Sequence, residues 1–93
     1  MSIVVKFFAT LRDLTSRNPI EIPAQDSMTL RQVLGILFTR FGTELQALIL
    51  EEGILRDRIQ ILVNGRSVKW LDDLDTLTRE GDTIAIFPPV GGG

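Results

Sequence analysis

The 93-residue chain contains no His and no Cys. Disulfides, thiolate zinc sites, Cys–His or Ser–His pairs and haem ligands are therefore excluded. It carries neither Gly-x-x-x-x-Gly-Lys nor Gly-x-Gly-x-x-Gly, so any nucleotide is expected to be held by a partner. The residues left to do chemistry are Pro88-Pro89-Val90-Gly91-Gly92-Gly93. Two prolines lack amide hydrogens and have fixed φ, so they stop sheet pairing and stiffen the exit. Three glycines then remove every Cβ. The six residues reach at most about 20 Å and end in the Gly93 carboxylate. A carboxylate is a poor electrophile until an enzyme converts it to an acyl-adenylate with ATP. A site doing so must admit the last residues through a narrow channel, where side chains would collide. Sulfide or persulfide attack would leave a thiocarboxylate, and an amine would leave an amide. A glycine-rich end alone also describes a frayed terminus. The Pro-Pro pair after an apolar strand is what distinguishes this one.

Other chemistry-bearing residues are weaker candidates. Asp72, Asp73, Asp75, Glu80 and Asp82 form an acidic cluster, but their spacing matches no calcium loop. They read as solvated turns with local caps. Lysine is scarce, with Lys6 and Lys69 against eight arginines. Few amines suit a chain with an activated terminus, but compositional bias toward arginine accounts for the same count. Trp70 reads as core or edge packing. With 10 Lys+Arg, 12 Asp+Glu and a net charge of −2, the chain has no electrostatic footprint for nucleic acid. No apolar run approaches the roughly 18 residues of a membrane span. The first residues lack the basic stretch and apolar core of a secretory signal, so the expected compartment is the cytoplasm.

The elements that must hold the arm follow from periodicity. One domain is expected over residues 1–87, with an extended tail at 88–93. Ser2 to Ala9 alternates as a strand, with Ile3, Val5, Phe7 and Ala9 on one face. Thr10 to Asn18 reads as a turn region. Ile20 to Ile22 is a short strand between Pro19 and Pro23. Leu30, Val33, Leu34, Leu37 and Phe41 form a helical stripe. Thr29 with Gln32 makes a capping box, and Gly42 supplies a left-handed stop, so a helix is predicted over 29–41. Residues 43–58 are ambiguous: Leu45, Leu48 and Ile49 could form a second short helix, broken by Glu51-Glu52-Gly53. Ile59 to Val63 is a strand, and Asn64-Gly65 a hairpin turn. Arg66 to Trp70 returns antiparallel. Leu71 to Leu77 is acidic and short and is read as one 3₁₀ turn, Glu80-Gly81-Asp82 turns again, and Thr83 to Phe87 is the last strand.

One long helix on one face of a mixed sheet of about five strands is an α+β arrangement. If Ile3, Val5 and Phe7 face the helix, Val4 and Phe8 face away. Alternation also turns Ile84, Ile86, Ile61 and Val63 inward, and Ala85, Phe87 and Leu62 outward. Phe8, Leu62 and Phe87 are thus expected to form an apolar patch on the open sheet face. Such a patch marks a partner-docking surface, unless residues 43–58 fold over it.

Phe7-Phe8-Ala9 with Leu11-Arg12 resembles the opening of the molybdopterin synthase small-subunit family, within the ubiquitin-like sulfur carriers. Leu62-Val63-Asn64-Gly65, Glu80-Gly81-Asp82 and Phe87-Pro88-Pro89-Val90 before terminal Gly92-Gly93 complete the resemblance, which runs the length of the chain. It departs in having glycine at 91, where the family usually has another small residue, and in a longer 43–58 segment. Leu74-Asp75-Thr76 with Gly81-Asp82 is also similar to the carrier of thiocarboxylate-dependent cysteine synthesis.

The resemblance implies a ubiquitin-like β-grasp roll with the last strand beside the first. It implies a sulfur carrier, not a catalyst by itself. An E1-like adenylating enzyme would activate Gly93, spending ATP that this chain does not bind tightly. The thiocarboxylate would give its sulfur to precursor Z in the molybdopterin synthase large subunit, which would supply the catalytic side chains. Gly92 and Gly91 would permit channel entry, Pro88, Pro89 and Val90 would direct the arm, and Phe8, Leu62 and Phe87 would dock. A carrier for cysteine synthesis or thiolation, or a ubiquitin-like modifier joined to lysines, shares the same activation step. A passive interaction module of this fold, its tail irrelevant, is the remaining alternative.

Overall fold

The computed structural model describes residues 2–15, 19–24 and 27–89. Strand β1 (Ser2–Phe7) alternates as predicted: Ile3, Val5 and Phe7 are fully buried, while Val4 and Lys6 point outward. It ends at Phe7 rather than Ala9. Ala9 takes a φ of 53°, and a 3₁₀ turn over Ala9–Leu14 replaces the expected irregular stretch. Strand β2 (Ile20–Pro23) pairs antiparallel with β1, Ile22 opposite Ile3 and Glu21 opposite Val4.

A two-residue strand, β3 (Met28–Thr29), leads into helix α1 (Leu30–Phe41). Its predicted capping box is present: the Thr29 hydroxyl accepts from the Gln32 N–H at 3.1 Å, and the Thr29 N–H donates to Gln32 Oε1 at 2.9 Å. Leu30, Val33, Leu34 and Leu37 are buried under the sheet, and the Phe41 ring meets Phe7 edge-on at 6.3 Å. Gly42 has positive φ (98°) but an extended ψ, so it joins α1 directly to a second helix, α2 (Thr43–Ile49). Leu45 and Ile49 of α2 enter the core.

Glu51-Glu52-Gly53 turns the chain instead of merely breaking it. Glu52 and Gly53 both take positive φ, 53° and 78°, the requirement of a tight primed turn. They join strands β4 (Leu50–Glu51) and β5 (Ile54–Leu55) in a small hairpin. Arg56 fastens it back to α2, donating from Nε to the Ala47 carbonyl at 2.8 Å and from its backbone N–H to that of Ile49 at 3.0 Å. These bonds satisfy carbonyls at the end of α2.

Strand β6 (Gln60–Val63) turns through Asn64 and Gly65, at φ 51° and 85°, into β7 (Arg66–Ser67). The return strand was expected to reach Trp70, but a 3₁₀ turn takes over at Val68–Trp70. A second 3₁₀ turn lies at Asp73–Asp75. Strand β8 (Leu77–Thr78) then pairs with β3, and Thr78, fully buried, donates its hydroxyl proton to the Met28 carbonyl at 2.9 Å. Strand β9 (Thr83–Phe87) ends the described fold.

The main sheet runs β2-β1-β9-β6-β7, with β1 and β9 parallel at its centre and the other neighbours antiparallel. This is the β-grasp arrangement expected from the sequence. The core lies between the inner sheet face and the two helices.

Candidate docking face and arm root

The outer face of the sheet is built by pairing register. Lys6 stands opposite Ala85 across the parallel pair, and Leu62 stands opposite Ala85 across the antiparallel one. Phe8 lies beyond the formal end of β1 but stays extended, and its N–H donates to the Ile86 carbonyl at 3.1 Å. The alternation therefore carries one residue further and places Phe8 beside Phe87. Their rings stack with centroids 4.3 Å apart and an interplanar angle of 11°. Leu62 and Phe87, with Gln60 and Pro88, border a hollow of about 310 Å³ beside this stack. Phe8, Leu62 and Phe87 are all half-buried, and the structure brings them to one face.

Residues 43–58 do not remove this face from solvent. They form α2 and the β4–β5 hairpin, whose Leu45, Ile49 and Leu55 point into the core. The hairpin instead borders a second hollow, of about 430 Å³, with Pro89 in its wall. Pro88 is half-buried and Pro89 exposed. Val90, Gly91, Gly92 and Gly93 lie outside the described residues.

The acidic residues act locally. Asp82 accepts at one carboxylate oxygen from Asn64 Nδ2 and at the other from the Arg79 N–H, each at 2.9 Å. Asp73 accepts from the Leu74 N–H, and Asp75 meets Arg31 at 3.5 Å in an exposed ion pair. Among the described residues no three His, Cys, Asp or Glu side chains group so as to hold a metal ion. Trp70 departs from its expected packing and is 87% exposed. Val68 is buried, and a 3₁₀ turn advances about 120° per residue, so Trp70 leaves the buried side. A strand would have returned it to the face of Val68. Among the described residues no helix is long and apolar enough to cross a membrane.

Arg58, passed over at the sequence level, borders both hollows. Strand prediction alone does not point to it: only the observed register, with Gln60 opposite Phe87, sets residue 58 beside residue 89.

A stacked aromatic pair and an apolar sheet face thus lie beside Pro88, at the end of the last strand of a β-grasp fold. The model of the ThiS family matches residues 5–93, and the chain belongs to that family of ubiquitin-like sulfur carriers and modifiers. It is 33% identical over 93 residues to small archaeal modifier protein 3 of Haloferax volcanii, each chain covered completely. It is 34% identical over 95 residues to the molybdopterin synthase sulfur carrier subunit of Drosophila erecta, covering all of this chain and 92% of the relative. The solution structure of small archaeal modifier protein 1 from Methanosarcina acetivorans superimposes with a TM-score of 0.84 at 32% identity, covering 99% of this chain and 96% of that one.

Proposed function

We propose that this protein is a sulfur carrier whose C-terminal Gly93 is adenylated and converted to a thiocarboxylate, and that it donates sulfur in molybdopterin formation as the small subunit of molybdopterin synthase. The observation that carries the reading is the stacked Phe8–Phe87 pair, with Leu62, at the root of the Pro-Pro arm. An E1-like adenylating enzyme docks on that face and receives the arm. The Gly93 carboxylate attacks the α-phosphorus of ATP, and pyrophosphate leaves. Sulfide sulfur then attacks the acyl carbon, AMP leaves and the thiocarboxylate remains. With a persulfide donor the product is an acyl disulfide, whose S–S bond a second thiol reduces to release the thiocarboxylate. In the synthase the same face seats the large subunit, which supplies the catalytic side chains. This chain acts as co-substrate and subunit, and no cofactor is held tightly by it. The cytoplasm is the compartment that fits this role.

A modifier reading draws on the 33% identity to small archaeal modifier protein 3. There an amine of a target protein replaces the sulfur nucleophile, and the first half-reaction is unchanged. The intact mass of the untagged protein from its own cells separates the two. One oxygen replaced by sulfur at Gly93 supports the carrier. Unmodified carboxylate beside lysine-linked conjugates supports the modifier. A single bulky residue added after Gly93 is expected to abolish either activity while the melting temperature stays unchanged. Normal activity in that variant would exclude both and favour a passive module.

A further inference from the structure

We infer that Lys6 determines specificity on the docking face: the activating enzyme seated there sets a carboxylate of its own against the Lys6 ammonium, over Ala85. The inference deepens the docking reading above and rests on it.

The register puts Lys6 inside that face. It lies on β1, which has a paired strand on either side, and stands opposite Ala85 of β9. Ala85 in turn stands opposite Leu62 of β6. At about 3.3 Å per residue and about 4.8 Å per strand, Lys6 is about 7 Å from Phe8 along β1 and about 10 Å from Leu62 across the sheet. A stable partner covers about 800 Å² on each side, a patch roughly 30 Å across. A partner resting on Phe8, Leu62 and Phe87 therefore closes over Lys6 as well.

The chain itself does not neutralise this charge. Lys6 is exposed, and among the described residues its ammonium has no hydrogen bond or ion pair. The acid on the neighbouring strand is Glu21, one step away opposite Val4. Its carboxylate accepts instead from the Ser2 hydroxyl at 2.9 Å.

In the free protein water solvates the ammonium. A docked partner displaces that water. A covered ammonium without a counter-charge is strongly disfavoured, whereas a carboxylate against it compensates the loss of solvent. Ala85 is the small side chain between Lys6 and Leu62, so it leaves room for an entering Asp or Glu. The methylene of that acid would meet Leu62 while its oxygens meet Lys6. The lysine stem can lie along the apolar surface and still bring its head to the pair. A surface that matches the apolar patch but carries a neutral or basic group at this point is rejected. Discrimination comes from the charge left unpaired with the wrong partner, beyond the attraction to the right one.

The test uses the full chain ending at Gly93 with its E1-like activating enzyme, followed by ATP–pyrophosphate exchange. Lys6→Glu should raise KM for the carrier about thirtyfold or more, with kcat at saturation near wild type and an unchanged melting temperature. Lys6→Gln should raise KM about tenfold and weaken its dependence on salt, because one charge of the pair is gone. Lys6→Arg keeps the charge and should restore KM to within about threefold of wild type. If Lys6→Glu does not fold, the other two variants are read in the same way. Lys6→Glu within about twofold of the wild-type KM, or Lys6→Gln at or below it, would overturn the inference. So would a loss in Lys6→Arg as large as that in Lys6→Gln, since shape and not charge would then matter. Phe87→Ala separates the two levels. If it raises KM while the Lys6 variants do not, only the role of Lys6 fails; if neither raises KM, the docking face itself fails.

Discussion

The Phe87 ring closes the outer sheet face where the arm begins. Stacked on Phe8, it is held in one place instead of sampling rotamers, which makes it a suitable anchor for a partner. Aromatic pairs of this kind are worth about 0.5–1.5 kcal/mol beyond their buried area. Phe87→Ala should therefore destabilise the fold by only about 1–2 kcal/mol, because the ring is already half in solvent. Its effect on the activating enzyme should be greater: KM raised about tenfold or more, with kcat at saturation near wild type. Steady-state titration against the enzyme measures this, and an unchanged KM would place docking elsewhere. Phe8, Leu62 and Phe87 were legible because strand alternation needs only a period of two. Arg58 requires the register between two strands, which no single stretch of sequence contains. Trp70 was misread because a strand would put it on the buried face of Val68, whereas the 3₁₀ turn swings it away from that face.

Among the elements, α1 was the most legible, since its cap, stripe and stop are all local. Its one weak position is Gly35, on the exposed side of the helix, where a Cβ would meet nothing within 4 Å. Gly35→Ala should raise stability by about 0.5–1 kcal/mol through lost freedom of the unfolded chain. Chemical denaturation checks it, with sulfur transfer unaffected because the helix lies on the side of the sheet away from the arm face. A loss of stability would show a constraint at Gly35 beyond backbone entropy. The β4–β5 hairpin was less legible. Two glutamates before a glycine look like a chain break, and only a non-glycine residue at positive φ, Glu52, turns them into a hairpin. The β3–β8 pairing was invisible for another reason. Each strand has two residues, too few for any period, and they meet only because α1 and β9 bring Met28 and Thr78 together.

At the scale of the whole molecule, the far end of the sheet is tied by a short polar network. Asn64 donates through Nδ2 to Asp82 and accepts the Thr83 N–H at Oδ1, each at 2.9 Å, while Asp82 also caps the Arg79 N–H. Asp82→Ala should cost about 1–2 kcal/mol, because it leaves Asn64 without the bond that orients it. The site is the length of β9, about 16 Å, from the arm root. The expected outcome is a lower melting temperature with unchanged kcat per folded molecule, measured by calorimetry beside pyrophosphate exchange. A lowered kcat would show that the two ends of β9 are coupled. The strand order was not legible from periodicity, which cannot tell β1 beside β9 from β1 beside β6. It came instead from the family resemblance carried by the motifs at 7–9 and 87–90.

Parallel pairing of β1 with β9 sets Val4 against Thr83 in the middle of the sheet. A chain emerging from the ribosome cannot build that centre until nearly all its residues have been made. Any product that stops before β9 lacks the middle strand and has nothing to fold around. Termination before β9 therefore yields an unfolded chain for the proteases rather than a folded core that could occupy partners.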